Sequence, residues 1–391
     1  MQINKNPDNE LIAAYMMGNF DLFSHLIDEG ENVNCLDTEN NSLISVVIQN
    51  PKKLKNNKKF FNKLISNGVS LEQIGWEQGL LTMCAIHQKD TYYAKKLLKC
   101  NMNINSIGVC RIDSGVRDEI LCIPFGPPLL DSVISGNLEH FDFFIENNPD
   151  LNIIDSQGNP ILNYLFIRCH GVPSQKGREY IFEKLLDNKI NINHRDENGD
   201  DILGCLTNCD YGDAYDNLVK ILLKKAKNIN IDTLNKFGKT PLINSISALN
   251  ELTETTKILI RNKANLDIFD ISGKNALMKC LKHDNFKSFE FLVKKGANLL
   301  SINKNGDTVI HYIANETNKF FCDEHHKKYY NIILSKHPEL MFQKNNSGLS
   351  PLDILKQKDL YKNDRKKFLD PFIKKIKTNG KIKPKDLSLG V

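Results

Sequence analysis

Cysteine and histidine stand close together at two places in the chain where they could support chemistry. Cys169 and His170 are adjacent, and Cys322 precedes His325 by three residues. A Cys–His pair forms a nucleophile and its base when the ring reaches the sulfur and a third group orients the ring. Adjacent side chains rarely meet that geometry, so a solvated loop is the simpler interpretation. An enzyme or metal site around Cys169/His170 or Cys322/His325 stays open as the alternative.

The same residue types also raise the question of a metal. His326 follows the second pair, and Cys205 and Cys209 are four residues apart, so each group could place two ligands on one helical face. Structural zinc needs four ligands, and neither group has a second pair near it in the sequence. Motifs for phosphate loops, zinc proteases, serine hydrolases and dinucleotides do not occur. We therefore predict a non-enzymatic protein with no metal and no cofactor.

The elements that must position these residues repeat along the chain. A turn of the Asp-x-x-Gly type opens each unit, an apolar stretch follows, and a second apolar stretch ends near Val/Ile/Leu-Asn. The turn glycines, spaced by 41, 39, 35, 33 and 42 residues, are Gly158, Gly199, Gly238, Gly273, Gly306 and Gly348. A basic period of about 33 residues that is lengthened by insertions is typical of a stacked-repeat protein.

The clearest unit covers residues 238–267, and its marked residues have structural reasons. Gly238 suits a tight turn that needs a positive φ. Thr240 can cap the following helix, and Pro241 suits the first helical position, where no N–H is needed. From Leu242 onward the apolar residues recur at helical spacing. The unit is therefore predicted to form a turn followed by two short helices.

These residues resemble the ankyrin repeat, whose pattern is a turn, Gly-x-Thr-Pro-Leu-His-x-Ala, Leu-Leu, Gly-Ala and Val-Asn. Other units keep parts of it, among them Ala14, Gly18, Asn19, Leu26, Gly30, Val33, Asn34, Pro128, Leu129, Gly136, Asn137, Gly296, Ala297, Gly306, Thr308, Ile310 and His311. The resemblance covers roughly residues 8 to 360. It implies an all-α, ankyrin-like helical solenoid of about nine to ten repeats with β-hairpin or turn fingers. It also implies that the concave fingertip side binds a protein partner.

The residue after the second helix departs from the family pattern in several units. Asn101 and Asn148 replace the family's glycine but tolerate the left-handed conformation. Lys189, Ala226 and Lys263 stand at the same place in other units. These sites are predicted either to be strained or to end their helices differently.

The repeat register also predicts the domain organisation. An N-terminal capping repeat covers 1–37, the array covers 38–345, a Lys-rich partial or capping repeat covers 346–380, and 381–391 form a flexible tail. Insertions into the array are predicted at 106–126, 168–179, 208–215 and 315–328. Insertions tend to project from one face of a repeat array, which makes them candidate binding loops. Ordinary surface variation is the alternative.

The insertion at 106–126 alternates Arg and Asp between apolar ends, which favours an ordered finger. The single tryptophan, Trp76, is predicted at the tip of the preceding hairpin, beside this finger. An exposed Trp next to Arg is the composition of a binding hot spot, whereas Trp76 packed under the finger would stabilise it. The predicted partner-binding residues are Trp76, Arg111, Asp113, Arg117, Phe125, Arg195, Phe237 and Phe269.

Composition bounds the remaining function classes. The 391 residues carry a net charge of +5, but 356–385 alone carry +9. A solvated basic end is the simpler interpretation, and membrane docking there is the alternative. Nucleic-acid binding is not expected, because no aromatic residue follows Phe372 in the basic end. Ten scattered cysteines, no long apolar run and a polar N-terminus predict a reducing, cytoplasmic location.

The Lys-, Asn- and Ile-rich composition is typical of an AT-rich genome. Ankyrin-like arrays as divergent as this one are similar to those of intracellular bacteria and large DNA viruses. Such proteins often act on host proteins. The resemblance thus implies a non-catalytic scaffold that binds and blocks or positions a protein partner. A secreted effector or viral host-interaction factor is one such role, with a location in the host cytoplasm. A bacterial protein that neutralises a toxin or defence factor is the other.

Overall fold

The computed structural model describes residues 9–50, 56–71, 79–106, 108–113, 120–152, 160–165, 174–207, 215–249, 251–316, 324–357 and 374. The chain forms two compact units, one ending at Asn191 and the other beginning at Ile192. Both consist of short helices joined by turns, and the first also holds a two-stranded hairpin. Within these ranges, no helix is both long and apolar enough to cross a membrane.

The helices of the first unit pack as consecutive pairs. They are α1 Glu10–Met16, α2 Phe20–Asp28, α3 Leu43–Gln49, α4 Asn57–Ser66, α5 Leu80–His87, α6 Tyr92–Lys99, α7 Pro128–Ile134, α8 Leu138–Glu146 and α9 Gln175–Asp187. A 3₁₀ helix over Ile161–Leu165 takes the place of the first helix in the pair that α9 completes. First helices also contact one another from pair to pair, as α3, α5 and α7 do. The unit is therefore two layers of helices.

The second unit repeats this arrangement. Its helices are α10 Ile202–Thr207, α11 Asp216–Lys225, α12 Pro241–Asn244, α13 Glu254–Arg261, α14 Ala276–Lys282, α15 Phe286–Lys294, α16 Val309–Glu316, α17 Glu324–Lys336 and α18 Pro351–Gln357. The first helices α10, α12, α14, α16 and α18 contact one another in succession. A 3₁₀ helix over Pro338–Met341 packs against α17 and α18. The turns before the first helices all lie at the same end of this layer.

Side-chain caps begin most of these helices. In the unit at 238–267, the Thr240 hydroxyl accepts a hydrogen bond from the Ile243 N–H at 3.2 Å, and Pro241 follows at the first helical position. Such a cap contributes about 1 kcal/mol. Helices of 4 to 13 residues are too short to be stable alone. The caps and the packing of buried apolar faces therefore hold the helices together.

Polar side chains at the ends of several repeats bind the next repeat. In the first unit, Asn34 Oδ1 accepts a hydrogen bond from the Ser70 N–H at 2.7 Å. In the second unit, Asp267 Oδ1 accepts one from the Asn298 N–H at 2.9 Å. Equivalent bonds join Asn105 to Asp150, Asn152 to Asn191 and Asp232 to Asn265. The recurring Asn or Asp thus satisfies a backbone N–H that belongs to its neighbour.

The second helices of the repeats end with two different backbone conformations. Asn101, Asn148, Lys189 and Lys263 all adopt the left-handed conformation, with φ between 53° and 66°. Ala226 instead has φ −91° and ψ 84°, so the chain leaves α11 without a left-handed residue. Both predicted outcomes therefore occur: Lys189 and Lys263 adopt the strained left-handed conformation, and the helix before Ala226 ends differently.

The segment 106–126 contains an antiparallel hairpin. Strand β1 (Gly108–Asp113) pairs with β2 (Ile120–Gly126), and the register shifts between Gly108 and Cys110. The hairpin contacts α5 and α7, the first helices on either side of it. In this way it stays attached to the first unit at the place where it interrupts the repeats.

The second helices begin inside two of the predicted insertions. Ser174 caps α9, which begins at Gln175, within the predicted insertion 168–179. Likewise α16 ends at Glu316 and α17 begins at Glu324, within 315–328. Residues 166–173, 208–214 and 317–323 lie outside the described ranges.

Candidate functional site

Most residues of the proposed catalytic or metal site cannot be placed. Those outside the described residues are Cys169, His170, Cys209 and Cys322, and the side chain of His325 is not described either. Among the residues that the structure does describe, no three His, Cys, Asp or Glu side chains are positioned to hold a metal ion. The enzyme or metal site therefore stays a prediction without structural support.

The described cysteines that are buried have weakly acidic thiols. Burial raises the pKa of Cys35 to about 11, and it raises the pKa of Cys84 and Cys280 further still. The Cys205 pKa is also raised, first by burial and then by nearby carboxylates such as Asp196. A nucleophilic cysteine needs the opposite shift, because the thiolate is the reactive form. These four cysteines therefore belong to the packing of the repeats.

The predicted binding residues of the first unit are placed only by their backbone, if at all. Trp76 and Arg117 lie outside the described residues. The backbone of β1 carries Arg111 and Asp113, and that of β2 carries Phe125. Asp113 pairs with Ile120 at the far end of the hairpin. These five residues therefore stay a prediction.

The turns of the second unit are stacked side by side. We call the segments 195–199, 234–238, 269–273 and 302–306, each ending in a turn glycine, the finger row. The Lys236 N–H donates to the Asn198 carbonyl at 2.9 Å, and the Ile271 N–H donates to the Phe237 carbonyl at 3.1 Å. The Asn303 side-chain amide donates to the Gly273 carbonyl at 3.2 Å. These bonds hold each finger against the next.

Gly238 is required in the finger row for two reasons. Its φ is +68°, which an L side chain rarely adopts. In addition, a Cβ atom there would lie 2.9 Å from the Ile271 backbone nitrogen of the next finger. The turn glycine thus permits both the turn and the close approach of two fingers.

Arg195 has a structural role that the amino-acid sequence did not indicate. Its Nη1 atom donates to the Gly199 carbonyl at 2.6 Å and to the Leu234 carbonyl at 2.8 Å. The guanidinium therefore closes its own finger and joins it to the next. The residue is exposed, and these two bonds use only the hydrogens of Nη1 out of five N–H donors. Its part in partner binding stays a prediction.

Exposed apolar side chains concentrate on the finger row. Leu234 and Phe237 are each 46% exposed, Ile271 is 61% exposed and Ile302 is 53% exposed. Phe269, which stands four residues before its turn glycine as Leu234 and Ile302 do, is partly exposed. Of the nine large apolar side chains that are exposed in the described residues, four lie on the finger row, and Leu249 and Leu300 lie elsewhere in the second unit. Such a concentration marks an interaction surface.

Sequence reasoning included Phe237 and Phe269 in this surface but missed its aliphatic members. A usable signal was present, because Leu234, Phe269 and Ile302 share one position relative to the turn glycines. Reading each repeat position across all units would have shown an apolar row flanked by Arg195 and Lys344.

A cleft of about 320 Å³ lies beside the finger row. Phe237, Lys239, Lys279 and His283 line it, together with Asp200. The Lys239 ammonium lies 5.4 Å from the centre of the Phe237 ring, within the range of a cation–π contact. One side of the cleft is therefore aromatic and cationic.

The carboxylate of the cleft is withdrawn from solvent. Asp200 is buried, and its Oδ1 atom accepts hydrogen bonds from the side-chain amides of Asn235 at 3.1 Å and Asn244 at 3.2 Å. Burial raises the pKa of Asp200, more than its two amide donors lower it. Burial also lowers the pKa of His283, and the nearby Lys279 ammonium lowers it further.

Comparison with known proteins addresses the fold. Residues 209–303 match a family described as ankyrin repeats, in three copies. A similar solved structure is the ankyrin repeat domain of Bcl-3, described as a unique member of the IkappaB protein family. It is 16% identical, the match covers 58% of this chain and 92% of that one, and the TM-score is 0.45. No sequence among the curated proteins matches. Residues 209–303 therefore match ankyrin repeats, and the same turn and helix pair recurs in register in the described residues, as in an ankyrin-like all-α solenoid.

Proposed function

We propose that this protein binds a protein partner through the finger row of its second unit. Ankyrin repeats generally mediate protein–protein interaction. The observation that carries the proposal is the run of exposed apolar side chains on consecutive fingers, namely Leu234, Phe237, Ile271 and Ile302. Removing such side chains from water on binding would contribute about 25 cal/mol per Å² of buried apolar area.

The mechanism that this surface supports is steric and stoichiometric. The fingers are joined by hydrogen bonds between their backbones and by the Arg195 guanidinium. A surface held in this way loses little conformational entropy on binding, so more of the contact energy appears as affinity. A partner seated on the row would be blocked or positioned without any chemical change.

The proposal is tested by removing two members of the apolar row. The variant Leu234→Gln/Ile302→Gln should bind the partner at least about 30-fold more weakly, the effect of losing roughly 2 kcal/mol at a hot spot. Met16→Gln/Met17→Gln is the matched control, because these side chains are exposed apolar residues of the first unit. The partner is captured from a lysate with intact chain as bait, and its affinity for each variant is measured with purified proteins.

One result of this experiment would support the finger row as the binding surface, and another would contradict it. Loss of binding in the finger variant alone, with unchanged circular dichroism and thermal midpoint, supports the finger row. Equal binding by all three proteins would remove the finger row from the interface. In that case the next candidate is the hairpin at 106–126, with its predicted residues Arg111, Asp113, Arg117 and Phe125, together with Trp76, which is predicted to lie beside it. The variant Trp76→Ala/Arg117→Ala tests this surface.

A further inference from the structure

We propose that two copies of this chain associate through the outer faces of α6 and α8 in the first unit. In this dimer the basic face of α6 on each copy lies against the acidic face of α8 on the other copy. The inference does not depend on the proposed function, because the finger row belongs to the second unit. It rests on the charges of the two helices, on their register and on the ion pairs that they leave unformed.

The outer faces of α6 and α8 carry opposite charge. Each helix has three charged residues of one sign, which are Lys95, Lys96 and Lys99 in α6 and Glu139, Asp142 and Glu146 in α8. No Asp or Glu occurs in α6, and no Lys or Arg occurs in α8. All six side chains are exposed or half-buried. A basic and an acidic surface therefore face solvent on neighbouring repeats.

These charged residues stand at equivalent positions of their repeats. The buried residues of the two helices have the same spacing, and they are Tyr93, Ala94 and Leu97 in α6 and His140, Phe141 and Phe144 in α8. Aligning the buried residues places Asp142 at the position of Lys95 and Glu146 at the position of Lys99. Lys99 and Glu146 are also the last residues of their helices. Opposite charges thus occur at the same height along the two helices.

The two helices lie side by side, but they do not neutralise each other. The Lys95 ammonium lies 5.7 Å from the centre of the Phe143 ring in α8, within the range of a cation–π contact. Among the residues that the structure describes, Lys95, Lys99 and Glu146 form no ion pair. These three side chains are therefore able to pair with charges on a second copy.

A two-fold axis that runs between α6 and α8, parallel to both, brings the opposite charges together. Rotation about this axis places α6 of each copy over α8 of the other and keeps every residue at its height along the helix. Lys99 then faces Glu146 of the second copy, and Lys95 faces Asp142. Because the two surfaces are identical, each contact occurs twice. An axis across the helices would instead place α6 on α6, where like charges repel.

The test is sedimentation equilibrium of the full chain over a range of protein and KCl concentrations, because a contact of two short helices belongs to the small, transient class of interface. The intact chain should form dimers that dissociate as KCl is raised. Lys99→Glu and Glu146→Lys each place like charges at both copies of one contact. Either variant alone should therefore dimerise at least about tenfold more weakly.

The choice of this contact and of the control follows from the structure. Asp142 is left unchanged, because its carboxylate accepts a hydrogen bond from the Tyr180 hydroxyl at 2.7 Å. The control is Lys224→Glu, which makes the same charge change in the last turn of α11. It should dimerise as the intact chain does.

An equal mixture of Lys99→Glu and Glu146→Lys should recover dimers. In the mixed dimer one contact has its charges reversed and the other keeps the original pair, so both are attractive again. Recovery in the mixture alone, with unchanged circular dichroism in each variant, supports the proposal. An intact chain that stays monomeric at the highest soluble concentration overturns it. Dimers that neither variant weakens, or that the mixture does not restore, also overturn it and place self-association on another surface.

Discussion

At the scale of single residues, the buried ionisable side chains of the first unit show how the repeats tolerate polar groups in their core. Asp131 in α7 is buried, its Oδ2 atom has no hydrogen-bond partner among the described residues, and burial raises its pKa to about 8. His140 in α8 is equally buried, and burial lowers its pKa to about 4. Both groups are therefore neutral in the folded protein near pH 7.

These two residues predict an unusual dependence of stability on pH. Between about pH 4 and 8 the unfolded chain has lost the Asp131 proton that the folded chain keeps, so this group lowers stability as the pH rises. Between about pH 4 and 6.5 the unfolded chain binds a His140 proton that the folded chain lacks, which has the opposite slope. The contributions of Asp131 and His140 to the change of the unfolding free energy with pH offset each other up to about pH 6.5. Above that pH only the Asp131 contribution of the two remains.

The intact chain should therefore lose stability as the pH rises from 6.5 to 8, and the Asp131→Asn variant should not. The expected size is up to about 1.4 kcal/mol per pH unit in the free energy of unfolding. Urea unfolding at several pH values measures it, with Glu146→Gln on the exposed end of α8 as control. A slope that is the same in Asp131→Asn and in the intact chain would show that this carboxyl group is not protonated in the folded state.

At the scale of the helix pair, the residue that follows the second helix decides how each repeat ends. Lys263 adopts φ +66° and its N–H donates to the Ile260 carbonyl at 3.1 Å. The left-handed conformation costs an ordinary L-residue about 1 kcal/mol or more. Ala226 avoids this conformation with φ −91°. Two replacements of the same family glycine are thus accommodated by different backbones.

Lys263→Gly should consequently stabilise the second unit by up to about 1 kcal/mol, because glycine relieves the strain of the positive φ. Ala226→Gly is the matched control and should destabilise by roughly 0.5–1 kcal/mol, because it adds freedom to the unfolded chain and relieves nothing. Urea unfolding of both variants measures the difference. If both glycines destabilise equally, the left-handed strain at Lys263 is not real.

At the scale of the whole molecule, stability is distributed along the chain as local contacts. Helices contact the neighbouring helices of their own unit, and the Asn and Asp bonds link one repeat to the next. In such an array stability is approximately a sum of the repeats and the interfaces between neighbours. Within each described unit, a substitution should therefore be felt mainly in its own repeat and in the adjacent ones.

This organisation predicts that stabilising one repeat acts locally. In Lys263→Gly, amide hydrogen exchange should slow in α13 and in the helices α11 and α12, which contact it. Exchange in α1–α4 of the first unit should stay unchanged. Mass spectrometry of peptic fragments resolves these regions, and a uniform change along the chain would instead indicate one cooperative structure.

The repeat, its period and its helix starts could be predicted from the amino-acid order alone, because these features depend on local chemistry. The positive φ of Gly238, the hydroxyl cap of Thr240 and the ring of Pro241 each act within a few residues of their own position. The family resemblance followed from those positions. The predicted fold class is confirmed for this reason, whereas the partner-binding residues of the first unit stay a prediction.

Which side chains meet could be learned only from the packed repeats. Arg195 binds the Leu234 carbonyl, and Asp200 accepts from Asn235 and Asn244, across 35 to 44 residues of sequence. No local pattern specifies such partners, because they depend on the stacking of one finger against the next. The exposure of Leu234 and Ile302 likewise depends on what neighbouring repeats cover, and burial is a property of the packed unit rather than of any one segment.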